Sequence, residues 1–178
     1  MYIINFFAKI LKFIFDRLFG LISLIFLSPI FLIIGFLVYF DDGLPIFFKQ
    51  KRIGIKGKFF TMFKFRTMRN GSEKFGTGYY CFENDPRITR TGIFLRKYSL
   101  DELPQIFNII KAEMSFIGPR PPIFDELENE IINKENLKVL NSRIKVRPGL
   151  TGYSQVIMRN EGSWNEKLYL DNIYLSHK

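Results

Sequence analysis

Two adjacent carboxylates, Asp101 and Glu102, are the side chains of this sequence best suited to chemistry. They lie in the segment Ser-Leu-Asp-Glu-Leu-Pro-Gln at residues 99–105. The chain of 178 residues is otherwise basic, with 26 Lys and Arg against 17 Asp and Glu and a net charge of +9. A basic protein that keeps an acidic pair between clusters of cations is suited to binding phosphate groups. The pair therefore predicts phosphate chemistry.

Pro104 decides between two interpretations of this segment. Ser99-x-x-Glu102 matches a capping box, in which Glu102 would only stabilise a helix start. That helix would place Pro104 at its fifth position, where proline is destabilising. A helix that begins at Pro104 and continues to Lys111 is favoured instead, because proline is accommodated in a first turn.

This second interpretation gives both carboxylates a chemical role. Asp101 and Glu102 then precede a helix N-terminus, whose positive partial charge favours the ionised form. An ionised, positioned Asp can attack phosphorus, and a neighbouring carboxylate can help to hold Mg²⁺. We therefore expect Asp101 and Glu102 to be catalytic and to bind the metal. Glu102 is expected to face solvent and to contribute little to stability.

Three other motifs accompany the acidic pair. They are Asp-Pro-Arg-Ile-Thr-Arg at residues 85–90, Gly-Pro-Arg-Pro at 118–121 and Arg-Pro-Gly-Leu-Thr-Gly at 147–152. With residues 99–105, they make the chain resemble the bacterial sugar transferases, the monotopic phosphoglycosyl transferases that start glycan assembly on a polyprenyl phosphate. The resemblance extends from about residue 12 to residue 174. It departs from the common pattern at Tyr153, Ser154 and Met158, around the expected nucleotide pocket.

Five cations are expected to bind substrate phosphates. The resemblance places an arginine at Arg96, and guanidinium groups bind phosphate oxygens bidentately. The prolines around Arg120 hold it on a stiff turn, and Arg147 begins a second Pro-Gly turn. Structural ion pairing is the alternative for the charges of residues 85–90. The remaining two cations come from a basic region, and the full set is Arg96, Arg120, Arg147, Lys64 and Arg66.

That basic region, residues 45–72, contains eight Lys and Arg and no acid. Aromatic and β-branched runs at residues 45–52 and 58–66 flank a turn bounded by Gly54 and Gly57, which predicts a β-hairpin. A solvated basic face is the simple interpretation of such a charge run. Beside a membrane element, binding to anionic lipid and to a phosphorylated substrate is favoured.

The membrane element is predicted at residues 18–40, which are 23 consecutive residues without a charge. Pro29 lies at its middle, after Ser28, and basic residues flank both ends. These features alone favour a kinked spanning helix, because spanning helices tolerate proline. The resemblance reverses this preference, since similar enzymes carry a Ser-Pro break here and enter one leaflet only. A signal peptide is not expected, because the apolar run is too long and no cleavage site follows it.

The predicted fold class is α+β. It consists of an N-terminal re-entrant membrane helix broken at Ser28-Pro29, followed by a small, mostly helical catalytic domain with a β-hairpin and interfacial amphipathic helices. The domain boundaries are residues 1–42 and 43–178, and residues 1–17 have the helical pattern of a lipid interface. We also predict a mobile loop at 70–84, a solvated helix at 124–140 and a capping box, Ser163 to Glu166, that opens the last helix. Similar chains continue past the position of Lys178 with a further apolar segment, so we expect a short or shortened member.

Other chemistries have little support. The single histidine, His177, is next to last, and the single cysteine, Cys81, excludes an intrachain disulfide. The sequence has neither a G-x-x-x-x-G-K motif nor a G-x-G-x-x-G after a strand, so a P-loop or Rossmann site is not indicated.

The resemblance implies a phosphoglycosyl transferase on the cytoplasmic face of the bacterial inner membrane. It would move a sugar 1-phosphate from a UDP-sugar to polyprenyl (undecaprenyl) phosphate and release UMP, with Mg²⁺ as cofactor. Asp101 would form a covalent phosphosugar intermediate. The alternatives are direct transfer in a ternary complex and a catalytically inert basic membrane adaptor. Anionic membrane lipid and a second copy of the chain are further expected partners, and nucleic acid is not.

Overall fold

The computed structural model describes residues 2–72, 85–122, 141–158 and 163–176. Within them the chain forms five α-helices and two small sheets, which confirms the predicted α+β class. The helices are α1 (Tyr2–Asp42), α2 (Arg90–Lys97), α3 (Gln105–Ile110), α4 (Tyr153–Met158) and α5 (Trp164–Ser176). The strands are β1 (Phe47–Ile53), β2 (Phe59–Phe65), β3 (Ser115–Ile117) and β4 (Gly149–Thr151). Most of the predicted loop at 70–84 and the predicted helix at 124–140 lie outside the described residues.

Helix α1 is continuous through Pro29. The residue before the proline, Ser28, donates a hydrogen bond from its hydroxyl to the carbonyl of Ile25 (2.7 Å). The predicted break at Ser28-Pro29 therefore does not interrupt the helix, and the re-entrant path stays a prediction. By length and composition alone, the segment Phe7–Asp42 is apolar enough to cross a membrane, and its most apolar stretch of 18 residues has a mean hydropathy of 2.8.

One face of α1 packs against the rest of the protein along most of its length. Its buried positions include Asp16, Gly20, Ile34 and Val38, whose spacing places them on one side of a helix. Asp16 lies in the N-terminal half of the helix and accepts a hydrogen bond from Ser115 Oγ (2.8 Å) at the start of β3. One face of the helix therefore packs against the domain, while the other face exposes apolar side chains.

The predicted β-hairpin is confirmed. Strands β1 and β2 pair antiparallel from Phe47 opposite Phe65 to Ile53 opposite Phe59. At the turn, Lys56 (φ 57°) and Gly57 (φ 73°) adopt the left-handed conformation that reverses the chain. Inward-facing residues of β2 join two apolar clusters, which give the hairpin a buried side.

The first cluster joins α1, β2 and α2 through Ile34, Val38, Phe65 and Leu95. The second joins β2, α3 and the chain before β3 through Phe60, Met62, Ile109 and Met114. Strands β3 and β4 form a short parallel pair with Ser115 opposite Gly149. The turn before α3, where the acidic pair lies, is held against β2 and α2.

Candidate active site

The acidic pair lies on a single 3₁₀ turn, Leu100–Glu102, immediately before α3. Ser99 has φ of 56°, its side chain makes no capping bond, and its carbonyl accepts a hydrogen bond from Glu102 N (3.3 Å). Helix α3 starts at Gln105, after Pro104, as the position of the proline predicts. The predicted helix start is therefore confirmed, and the capping-box interpretation of residues 99–102 is wrong.

Apolar side chains on either side of the pair fix its orientation. Leu100 and Leu103 both pack against the cluster formed by α1, β2 and α2. Because the side chains of both leucines pack against this cluster, the backbone between them is held in place, and it carries Asp101 and Glu102 on the same short turn. The position of each carboxylate is thus set by hydrophobic packing of its neighbours.

Glu102 is held by two cations from distant parts of the chain. Its Oε1 accepts hydrogen bonds from Lys64 Nζ (2.6 Å) on β2 and from Arg120 Nη2 (3.0 Å). The Glu102 side chain is only 18% exposed, so the expectation that it faces solvent is wrong. Burial by itself would raise the pKa of Glu102, but the charges of Lys64 and Arg120 lower it to about 2. Glu102 is therefore ionised throughout the neutral range.

Asp101 is in a different electrostatic state. It is 9% exposed, and its burial raises the pKa of its carboxyl group above the ordinary value. The negative charge of Glu102 acts in the same direction, while the charges of Lys64 and Arg96 oppose it. The two neighbouring carboxylates therefore differ. Glu102 is ionised and its charge is balanced by two cations, whereas Asp101 is desolvated and more basic.

Lys64 links the two carboxylates. Burial and the charge of Arg120 lower the pKa of Lys64, against the pull of Glu102 and Asp101. Successive side chains of a strand point to opposite faces. On β2, Phe65 therefore points into the apolar core, and Lys64 points toward the acidic turn. The predicted hairpin thus delivers Lys64 to the site.

Arg96 reaches the site from α2. Its Nε donates a hydrogen bond to Thr67 Oγ1 (2.8 Å), just beyond β2. The helix can approach this segment because Gly92 has no side chain; a Cβ there would overlap the carbonyl of Thr67. Thr89 caps α2 by accepting from Gly92 N (3.0 Å). Thr67 is a positioning partner that no sequence motif indicated.

Arg120 is carried by the turn after β3. Gly118 and Gly149 lie so close that a Cβ on Gly149 would overlap the backbone of Gly118. Arg52 of β1 donates from Nη1 to the carbonyl of Pro121 (2.8 Å), which ties the turn to the hairpin. The proline-rich segment is therefore fixed on both sides of Arg120, in agreement with the stiffness expected from its sequence.

The other two predicted phosphate ligands have partners elsewhere. Arg66 donates from Nη2 to the carbonyls of Asp42 (2.7 Å) and Gly43 (2.8 Å), at the C-terminal end of α1. Arg147 donates from Nε to the carbonyl of Ala112 (3.0 Å), and its guanidinium lies 4.6 Å from the centre of the Phe13 ring. Arg66 thus caps the C-terminal end of α1 by binding the carbonyls there, and Arg147 contacts Phe13 of the same helix.

Two of the charges of residues 85–90, Asp85 and Arg87, form an ion pair with each other, as the alternative interpretation held for them. Arg87 Nε and Nη2 donate to both carboxylate oxygens of Asp85, the closest at 2.6 Å.

The predicted capping box of the last helix is confirmed, since Ser163 N donates to Glu166 Oε2 (2.7 Å) and Glu166 N donates to Ser163 Oγ (3.3 Å).

The metal prediction concerns the acidic pair alone. Within the residues that the structure describes, three or more His, Cys, Asp or Glu side chains do not come together in a group suited to a metal ion. Mg²⁺ commonly takes only one or two carboxylates and completes its coordination with water and substrate phosphates. The donor set of Asp101 and Glu102 fits that pattern.

Comparison with known proteins supports the sequence motifs. The family model described as "Bacterial sugar transferase" matches residues 7–178. The chain is 40% identical, over 92% of its length, to the exopolysaccharide production protein ExoY of Sinorhizobium fredii, of which it covers 76%. It is 34% identical, over 96% of its length, to the undecaprenyl-phosphate galactose phosphotransferase of Salmonella typhimurium, of which it covers 37%. It is 42% identical, over 79% of its length, to the UDP-glucose:undecaprenyl-phosphate glucose-1-phosphate transferase of Xanthomonas campestris, of which it covers 28%.

Proposed function

We propose, because the chain belongs to the bacterial sugar transferase family, that it transfers a sugar 1-phosphate from a UDP-sugar to a polyprenyl phosphate. The names of two relatives specify undecaprenyl phosphate as the acceptor, and one of these names specifies UDP-glucose as the donor. The observation that carries the proposal is the arrangement at the 3₁₀ turn. A desolvated Asp101 stands beside a neutralised Glu102, among the charges of Lys64, Arg96 and Arg120.

Asp101 is the proposed nucleophile. One of its carboxylate oxygens attacks the phosphorus that bears the sugar, and the bond from that phosphorus to the bridging oxygen breaks, so that UMP leaves. The phosphate oxygen of the lipid acceptor then attacks the same phosphorus and releases the Asp101 carboxylate. The product is a polyprenyl diphosphate sugar, and the enzyme returns to its starting form. The covalent intermediate thus replaces one direct transfer between two anions by two successive displacements.

The neighbouring charges have distinct roles in this scheme. Lys64 and Arg120 hold Glu102 ionised, and Arg96 lowers the charge repulsion between Asp101 and an incoming phosphate. Mg²⁺, held by Asp101 and Glu102, would neutralise the developing charge on the pyrophosphate. Arg66 is better assigned to the end of α1 than to substrate.

The half-reaction without acceptor tests the nucleophile. With a UDP-sugar and Mg²⁺ but no lipid, the protein should release about one UMP per active site and gain the mass of a sugar phosphate. Asp101→Asn should abolish both, while Asp171→Asn, at a buried ion pair with Arg143 remote from this turn in the sequence, controls for general damage to the fold. An adduct on another residue, or turnover that persists in Asp101→Asn, would refute the assignment. A requirement for acceptor before any UMP appears would favour the ternary mechanism.

The inert-adaptor alternative makes a separate prediction. An adaptor would bind anionic lipid vesicles but release no UMP with any UDP-sugar. Incubation with a panel of UDP-sugars, Mg²⁺ and undecaprenyl phosphate distinguishes it from either enzyme mechanism, and it also identifies the sugar.

We propose that the protein lies on the cytoplasmic leaflet, with α1 re-entrant. The support is the pattern of exposed apolar side chains near the C-terminal end of α1 and on α2, where Phe40 is 80% and Ile93 62% exposed, with basic residues beside them. Cysteines at positions 5 and 57 should both be shielded from an impermeant reagent in intact cells. Labelling at position 5 with position 57 protected would establish a spanning helix. Pro29→Ala should increase the spanning population, because alanine supplies the backbone N–H that Pro29 lacks, and a helix with all its backbone hydrogen bonds made is favoured across the bilayer.

A further inference from the structure

An apolar groove of about 520 Å³ lies between α1 and the start of the hairpin. This volume is within the range of about 300–1,000 Å³ that ligand pockets occupy. Within the described part of the chain its lining has no charged side chain; Ser28 and Tyr39 supply its polar side-chain groups. Its walls are formed by one side of α1, including Phe31 and Gly35, by Ile46 and Phe47 at the start of the hairpin, and by Phe107 of α3.

The groove opens toward the surface of α1 that would meet lipid. Leu32 and Phe36 line the groove and are also 65% and 61% exposed. An apolar chain could therefore enter sideways from a membrane without crossing a polar surface. A nucleotide or a lipid headgroup would be disfavoured inside, because the walls offer little to replace their hydration.

The groove and the acidic turn pack against the same apolar cluster. Phe31 and Ile46, which line it, pack against the same apolar cluster as Leu100 and Leu103, the residues on either side of the carboxylates. Phe65 of β2 contacts the rings of both Phe31 and Phe47, each with centroids 5.4 Å apart.

The residue before Phe65 points to the opposite environment, since Lys64 pairs with Glu102. Neighbouring side chains of β2 therefore face the apolar groove (Phe65) and the cationic site (Lys64). A molecule with a phosphate at one end and an apolar chain at the other matches both surfaces. The net charge supports this, because Lys64, Arg96 and Arg120 outnumber the two carboxylates.

We propose that this groove holds the isoprenoid chain of the acceptor while its phosphate reaches Asp101. The inference rests on the proposed function, and it adds the site that recognises the lipid chain. Gly35 gives a direct test, because it lines the groove and a Cβ at this position would have its nearest neighbour, Ile46, at 3.9 Å. A larger side chain there can be accommodated only by taking space from the groove.

The first experiment compares two acceptors with the same phosphate group. For the wild-type chain, kcat/KM should be higher with undecaprenyl phosphate than with geranyl phosphate. Gly35→Leu should reduce this preference about tenfold, the effect of losing about two buried methylene groups. Ile33→Leu, an apolar change at a position on α1 that is 60% exposed, should keep the preference. An unchanged preference in a folded Gly35→Leu variant would refute the inference.

The second experiment needs no variant. The wild-type chain is irradiated with an undecaprenyl phosphate analogue that carries a photoreactive group in its isoprenoid chain, and the labelled peptides are identified. Labels should fall on groove residues such as Phe36 and Phe107, and unlabelled undecaprenyl phosphate should compete. Labels confined to the exposed face around Phe26, or equal competition by phosphatidic acid, would overturn the assignment.

The two proposals fail in different ways. If groove labelling and competition are observed but UMP is never released with any UDP-sugar, the groove is retained and the proposed enzyme activity is wrong. If UMP release and turnover are normal but the label lies elsewhere, the activity is retained and the groove is wrong.

Discussion

Replacement of Glu102 by Gln should destabilise the protein substantially. The side chain is the shared partner of Lys64 and Arg120, and Lys64 is itself only 16% exposed. In the variant, a nearly buried lysine loses its anionic partner, and an unpaired buried charge is costly. The amide can still accept one hydrogen bond, so the loss is electrostatic in origin and not a loss of volume.

The magnitude follows from the pKa of Glu102. Lowering this pKa from 4.5 to about 2 is equivalent to about 3 kcal/mol of stability at neutral pH, at about 1.4 kcal/mol for each pH unit. Because the pKa is lower in the folded state, this contribution is fully present above pH 4.5 and is lost as the pH falls through about 2. Part of it is screened by water around Arg120, whose side chain is 39% exposed. We therefore expect a loss of about 2 kcal/mol for Glu102→Gln at pH 7.

Thermal unfolding in detergent, followed by circular dichroism, provides the assay. Glu102→Gln should lower Tm by about 4–8 °C at pH 7, and the difference from wild type should shrink between pH 4.5 and pH 3. Glu166→Gln is the matched control, since that carboxylate lies at the exposed start of α5 and its amide can still accept the capping bond. Equal Tm values for wild type and Glu102→Gln at pH 7, or a difference that does not depend on pH, would refute the reasoning.

Two further changes test the geometry around the acidic turn. Arg96→Gln removes a charge that lowers the pKa of Asp101, so the acidic limb of the pH profile for UMP release should move to higher pH; an unmoved limb would remove Arg96 from the electrostatics of Asp101. Gly92→Ala should destabilise by about 1–3 kcal/mol in thermal unfolding, because its Cβ would overlap the carbonyl of Thr67, whereas Gly35→Ala should be tolerated. Alanine normally stabilises a helix relative to glycine, so a stabilised Gly92→Ala would contradict the close approach.

The sequence predicted those features that depend on local patterns. Pro104 located the start of α3, because proline restricts the backbone within a few residues. The glycines and alternating apolar residues of the hairpin predicted β1 and β2. The reciprocal bonds of Ser163 and Glu166 were likewise predictable, since the two residues are one turn apart.

The partners of the charged side chains could not be predicted in the same way. Lys64 and Arg120 reach Glu102 across 38 and 18 residues of sequence, so their pairing depends on how the hairpin and the β3–β4 pair are folded together. The same is true of Arg66, which meets Asp42 at the end of α1 instead of lying beside the acidic turn. Charge composition predicted an anion-binding region, but it could not identify which cation pairs with which anion.

The sequence also could not predict which side of α1 packs against the rest of the protein. A run of apolar residues indicates that a segment avoids water, but lipid and protein surroundings give the same signal. In the structure, Phe31 contacts Phe65 and Phe107 with ring centroids 5.4 and 5.8 Å apart, and Gly35 faces Ile46. One side of the helix is therefore part of the domain core, while the other remains exposed.

The acidic pair illustrates how one short turn can support two different electrostatic states. Two adjacent carboxylates in the same surroundings would compete for the same proton, and neither would have a distinct role. Here burial acts on both carboxyl groups, but Lys64 and Arg120 bind Glu102 and overcome its effect there, whereas burial prevails at Asp101. In the proposed reaction this asymmetry leaves Glu102 ionised as a fixed charge and makes Asp101 the more basic group. A desolvated carboxylate forms a new bond to phosphorus more readily than one held by two cations, so the packing that buries Asp101 favours it as the nucleophile.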